Sequence, residues 1–219
     1  RFGNDGFKAL KNLERFKFKI GERTFGTGFI FEGLQHLPLL RKFSLTINYL
    51  MIHDWNLLEP FLKNQTNLED LTLSLTPEKF IPARYCQQNE FLEKILQGLE
   101  NKRKLKSLEL KSQFFTLKSL SNGLSNLTFT NQLQTFKFEG SDDPIDWKEK
   151  PSKYVGGLCK FIKNQKESLQ QLELKFTHIL KDNVLNHIME AISKLIDLRN
   201  LHLDLNSFFP NASSPLMYS

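Results

Sequence analysis

The chain has 219 residues, of which 40% are apolar and 25% charged, a composition that supports a continuous core and excludes an intrinsically disordered chain. Its formal net charge of +6 admits an acidic partner, but a lysine-rich surface gives the same value with no partner, so the placement of the charge has to decide. No apolar run approaches the ~18 residues of a membrane-spanning helix. The two cysteines, Cys86 and Cys159, lie far apart with no C-x-x-C or Cys/His cluster, which indicates neither zinc nor a disulfide framework.

Taken in order, the chain opens on Arg1 with no charged-then-apolar leader and is read as a piece of a longer polypeptide. A phrase of the form L-x-x-L-x-L then begins to recur, with Phe replacing Leu freely. It stands first at Leu13, Phe16, Phe18, Ile20, then at Leu40, Phe43, Leu45, Ile47, and in its clearest form at Leu68, Leu71, Leu73, Leu75. It returns at Leu105, Leu108, Leu110, at Leu133, Phe136, Phe138, at Leu169, Leu172, Leu174, Phe176, and at Leu198, Leu201, Leu203, Leu205. Alternation of this kind predicts a short strand with one buried face. Between strands stand apolar residues at helical spacing: Ile30, Leu34, Leu37; Leu58, Leu62; Phe91, Ile95, Leu99; Leu120, Leu124, Leu127; Val155, Cys159, Ile162; and Val184, Ile188, Ile192, Leu195. Each set predicts a helix apolar on one side. The first leucines are separated by 27, 28, 37, 28, 36 and 29 residues, a period near 28 with two lengthened members. Strands and helices this short bury their faces only by stacking on copies of themselves.

An L-x-x-L-x-L phrase with this period and a helix in every repeat resembles the ribonuclease-inhibitor-like class of leucine-rich repeat proteins. The stretches 119–127 (SLSNGLSNL) and 26–34 (GTGFIFEGL) are similar to the S-L-x-x-G-L-x-x-L phrases of ciliate leucine-rich repeats. The resemblance covers about Leu10 to Leu205. It implies an α/β solenoid of horseshoe shape, about seven repeats, with a parallel concave sheet and convex helices, filling residues 1–206 and leaving 207–219 as a non-repeat tail. In that family an Asn or Cys follows the last strand leucine. Here Asn48 and Asn206 fit, while Gly21, Thr76, Gln113, Ser141 and Thr177 stand at the other sites, expected to leave their strands in a turn. Neither end reads as a polar cap, so flanking chain or a neighbouring subunit is expected over Phe16 and Phe18 at one end and Leu201 and Leu203 at the other.

Residues between the strand leucines fall into three rows: Arg15, Lys42, Asp70, Ser107, Thr135, Gln171, Asn200; Lys17, Ser44, Thr72, Glu109, Lys137, Glu173, His202; and Lys19, Thr46, Ser74, Lys111, Glu139, Lys175, Asp204. The later strands form a checkerboard of opposite charges, which reads first as a self-neutralised surface. The first strand is all basic, and Arg15, Lys17, Lys19 with Lys42 could meet an acidic partner; the plainer reading is a solvated edge. No aromatic side chain stands in the rows, so nucleic acid is disfavoured.

The two lengthened repeats place insertions at 76–89 (TPEKFIPARYCQQN) and 140–153 (GSDDPIDWKEKPSK), expected on one rim, with Phe80, Tyr85 and Trp147 as contact aromatics or as loops folded over the rim. His202 and Asp204 share a face with no nucleophile placed near them, and Asp142, Asp143, Asp146 and Glu149 lack the order of a calcium loop, so no catalytic, cofactor or metal residue is assigned. The triplets beginning at Asn64, Asn126 and Asn211 match a glycosylation pattern that arises easily in a chain this rich in Asn, Ser and Thr. A cytoplasmic, cytoskeletal setting is expected over secretion. The expected function is a non-enzymatic protein-protein interaction or scaffold module within a larger assembly. The alternatives are a GTPase-activating or other enzyme-regulating repeat protein, as some members of the family are, and the repeat region of a larger kinase.

Overall fold

The computed structural model describes residues 5–20, 28–47, 55–75, 85–141, 152–176 and 182–204. Helices and strands alternate throughout. They run α1 (Asp5–Lys8), β1 (Arg15–Ile20), α2 (Gly28–Leu34), β2 (Lys42–Ile47), α3 (Trp55–Asn64), β3 (Asp70–Leu75), α4 (Tyr85–Gln97) and β4 (Ser107–Thr116). The order continues through α5 (Leu117–Ser125), β5 (Thr135–Ser141), α6 (Ser152–Asn164), β6 (Gln171–Phe176), α7 (Asp182–Ile192) and β7 (Asn200–Asp204). The strands form one parallel sheet in chain order, β1-β2-β3-β4-β5-β6-β7, and each helix from α2 to α7 packs on the one before it.

Alternation explains why these segments are strands. In β3, Leu71, Leu73 and Leu75 are buried while Asp70, Thr72 and Ser74 stay half-buried, and the residues aligned with the three leucines in β2 and β6 are buried in the same way. The helices bury the matching residues from the other side: Leu58, Phe61 and Leu62 in α3, Leu92, Ile95 and Leu96 in α4, and Val155, Leu158, Phe161 and Ile162 in α6. Phenylalanines join the two layers edge-to-face, Phe43 with Phe61 at 4.9 Å and Phe136 with Phe161 at 5.2 Å between centroids. Leu37, Leu99 and Leu127, expected at the helix ends, fall just past α2, α4 and α5 and are buried all the same.

A repeating backbone contact sets the register. The Glu14 carbonyl accepts from two consecutive N–H groups, Arg41 at 2.8 Å and Lys42 at 2.9 Å. The carbonyls of Arg41, Glu69, Lys106, Gln134 and Gln170 each hold the corresponding pair one repeat on. The residues thus brought side by side are those of the three rows read from the sequence, from Arg15↔Lys42 through Lys175↔Asp204.

Buried polar side chains close the turns on the other side of three of the repeats. Gln65 Nε2 donates to the Leu34 carbonyl at 3.3 Å, and Gln165 donates to Phe129 O while its Oε1 accepts from the N–H groups of Gln132 and Leu133, all at 2.9 Å. Lys102 stands at the same step with only 2% exposed and donates to the Lys63 carbonyl in the last turn of α3 at 2.8 Å. Burial pushes its pKa down, while the carbonyl at a helix C-terminus favours its charge.

Four expectations change. Gln113 does not leave its strand: β4 continues to Thr116, with an irregularity after Lys111, and Thr116 pairs with Ser141 of β5. Thr116 then caps α5 directly, its Oγ1 accepting from Ser119 N–H while Ser119 Oγ accepts from Thr116 N–H, both at 3.1 Å, so no loop intervenes. Ser141 likewise ends β5, so neither residue stands in a turn after its strand. The insertion expected at 76–89 stops earlier, since the backbone of Tyr85 already opens α4, and the one expected at 140–153 begins as strand and ends as helix from Ser152.

Burial and helix packing yield two predictions. Leu73 is fully buried between strands on both sides, so Leu73→Ala costs about 2 to 5 kcal/mol in chemical denaturation, and Thr72→Ala on the opposite face is nearly neutral. In α6, a Cβ on Gly157 would lie 1.8 Å from the Ser121 carbonyl oxygen of α5, whereas one on Gly156 would meet nothing within 4 Å. Gly157→Ala therefore destabilises by about 1 to 3 kcal/mol and Gly156→Ala stabilises by about 0.5 to 1 kcal/mol, opposite shifts in the thermal midpoint from adjacent residues.

Candidate functional site

Helices cover one face of the sheet, so the alternate strand residues form its other, open face. Most charges on that face are paired. Lys42 of β2 is ion-paired with Asp70 of β3. Lys111 of β4 reaches Glu139 of β5 at 2.6 Å, and Lys137 of β5 reaches Glu173 of β6 at 3.5 Å. Glu173 also meets Lys175, two residues on in its own strand, at 2.8 Å. That hydrogen bond, and then the charges of Lys175, Lys137 and His202, hold the Glu173 carboxyl below its ordinary range.

A second ladder runs along the foot of the strands, one residue before each begins. Arg41 Nε and its terminal amine lie 2.7 and 2.6 Å from Glu69, its other terminal amine is 3.7 Å from Glu14, and Lys106 approaches Glu69 at 3.2 Å. Hydrogen bonds from Arg41 and Lys106 lower the Glu69 pKa, and the Glu69 bond raises that of Arg41. The strand rows do not include this ladder, but its sign alternation, Glu14, Arg41, Glu69, Lys106, was visible at the position ahead of each strand phrase.

Against this background β1 differs. Arg15, Lys17 and Lys19 are exposed, and the residues registered beside them are Lys42, Ser44 and Thr46, none of them acidic. Among the described residues none of the three has a carboxylate partner. Four basic residues from the sequence reading thus gather at one corner of the open face, with Lys42 drawn toward Asp70 and the other three uncompensated. Phe80, Trp147 and the side chain of Tyr85 lie outside the described residues, so the shared rim expected of them does too.

His202 and Asp204 lie two residues apart on β7, and His202 is registered beside Glu173. No group of three or more His, Cys, Asp or Glu among the described residues is placed to hold a metal ion. Nor is any helix among them long and apolar enough to cross a membrane.

No protein-family description and no curated protein sequence matches the chain. Among solved structures, the tropomodulin C-terminal domain of Caenorhabditis elegans overlays with a TM-score of 0.45 at 11% identity, over 87% of this chain and 89% of that one. A candidate sugar phosphate isomerase/epimerase of Anabaena variabilis overlays with a TM-score of 0.30 at 12% identity, over 98% of this chain and 84% of that one. Both overlays are loose, and a similar chain path hosts unrelated functions, so no activity or partner passes from either protein to this chain.

The interior charges make a prediction. Lys137 sits between Glu109 and Glu173 in the register, so Lys137→Glu lines up three carboxylates. It lowers stability by about 0.5 to 1 kcal/mol at low salt, more than Lys160→Glu on the exposed side of α6, and the difference shrinks in high salt. Because the Glu173 pKa is lowered by folding, the stabilisation this group supplies is full at neutral pH and is lost as pH falls through the lowered value. Denaturation midpoints across pH and salt check both statements.

Proposed function

We propose that the chain is a leucine-rich-repeat segment of horseshoe form that acts as a non-enzymatic protein-protein interaction module, engaging an acidic protein segment at the basic corner of its open sheet face. The carrying observation is the uneven pairing of that face: charges on β2 to β6 are largely offset by neighbouring strands, whereas Arg15, Lys17 and Lys19 are exposed with no acid beside them. A self-neutralised interior contributes little long-range field, so an anionic partner is steered to the corner. The absence of aromatics from the rows favours a protein over a single-stranded nucleic acid, which gains much of its affinity by stacking. A surface built by repetition, which offers extended contact, supports a scaffold role within a larger assembly.

The test is titration of the chain with poly-L-glutamate and with a single-stranded RNA homopolymer at matched charge and salt. Binding of poly-L-glutamate, weakened about tenfold by Lys17→Glu and progressively by added salt, supports the reading. Failure of poly-L-glutamate to bind at low salt, or tighter binding of the RNA, overturns it.

A further inference from the structure

We propose that β1 is a docking edge for an extended protein segment in which acidic and apolar residues alternate, added to the sheet as a further strand. This rests on the acidic-partner reading above and gives that partner a conformation and a sequence pattern.

Three observations converge on the same strand. Among the described residues β1 ends the sheet, with β2 on one side only, and no backbone group outside the sheet bonds to it. An edge strand of this kind leaves every second N–H and C=O directed outward, ready to pair with an incoming chain. Second, its inner-face residues are incompletely covered: Phe16 and Phe18 are half-buried, whereas their register neighbours Phe43 and Leu45 are each 1% exposed. Phe7 contacts Phe16 at 5.9 Å between centroids, and Phe16 stacks on Phe18 at 5.9 Å, which leaves an aromatic step that apolar residues of a neighbouring strand would cover. Third, the outer-face residues are Arg15, Lys17 and Lys19. A strand pairs side chains directly across the ladder, so the added strand must present acids on the open face and apolar residues on the helix face, in strict alternation.

The same charges select among occupants. A second copy pairing through its own β1 would bring basic residues against basic residues. A second copy pairing through β7 would present Asn200, His202 and Asp204, one carboxylate among three, and Asp204 already lies beside Lys175. The β7 edge also exposes Leu201 at 45%, yet its mixed outer row gives a charged partner no preference. An extended acidic-apolar segment is the occupant that satisfies the backbone, the aromatic step and the charges of β1 together.

The experiment uses the 219-residue chain and a capped peptide with Glu and Val in strict alternation, followed by fluorescence anisotropy and by isotope-edited infrared of the peptide amides. Three comparison peptides have the same composition: one with Glu and Val in two blocks, one N-methylated on every Glu, and one N-methylated on every Val. The two methylated peptides block opposite edges of the strand. Strand addition predicts that the alternating peptide binds with an extended amide signature, that the block peptide binds at least about tenfold more weakly, and that only one methylated peptide loses binding. Lys17→Glu removes the interaction and Lys17→Ala weakens it, while Lys160→Glu leaves it within about twofold; circular dichroism of each variant matches the parent. If alternating, block and both methylated peptides bind alike, the corner recognises acid but strand addition is overturned. If no acidic peptide binds at low salt, or Lys160→Glu weakens binding as much as Lys17→Glu, both readings fall.

Discussion

A single carbonyl at the foot of each strand, holding two consecutive N–H groups of the next strand, is the contact on which the rest depends. Glu14, Arg41, Glu69, Lys106, Gln134 and Gln170 supply these carbonyls in turn. A slip of one residue would turn every buried leucine outward and every charged residue inward, so the backbone clamp and the apolar pattern enforce the same register. Once that register holds, position within the repeat becomes position on the surface. Residues written about 28 apart in the chain become neighbours in space.

That conversion governs the electrostatics. An acid and a base at the same position of adjacent repeats meet on the open face, as Lys111 and Glu139 do, and those at the preceding position meet along the strand feet, as Arg41 and Glu69 do. None of these exposed pairs contributes much alone. Their effect is to remove net charge from the middle of the face, so that the uncompensated residues of β1 dominate the field near one edge. Within the turns, the same periodicity places Gln65, Lys102 and Gln165 where carbonyls of the preceding repeat need donors. A lysine can stand there because its chain is long enough to reach the end of α3, and burial lowers its pKa as the cost.

The seven strands and the membership of all three rows were legible from leucine spacing, because period-two burial and a fixed repeat leave one consistent alignment, while the parallel pairing of the strands was implied by the resemblance to leucine-rich repeats. The less regular features were not. The extension of β4 to Thr116 depends on its partner Ser141 and on Thr116 capping α5, a joint property of two repeats that no single stretch announces. The early start of α4 was hidden because Tyr85 and Cys86 read as insertion, and the polar run Gln87, Gln88, Asn89 supplies no apolar period. Lys102 carries no signal of its own in the sequence, since nothing local distinguishes it from Arg103 and Lys104; its burial comes from the repeat stacked before it. Of the basic corner, the residue types were legible, and the loss of Lys42 to Asp70 was visible only as a neighbour in the row.

The position of the uncompensated charge follows from the geometry of a stack. An interior strand has neighbours on both sides, and either can supply a counter-charge; an end strand has one. On β1 that one neighbour offers Lys42, Ser44 and Thr46, so the edge remains basic although acidic side chains are plentiful elsewhere in the chain. Lysines on an exposed edge commonly protect a sheet from pairing with its own copies. Here the same three side chains would repel a like edge and attract an acidic one, so protection against self-association and the proposed choice of partner rest on one arrangement. The half-buried Phe16 and Phe18 give that choice an energetic reason: a partner that met only the charges would leave the aromatic step wet, whereas one that alternated would cover it and pair the free backbone in the same register.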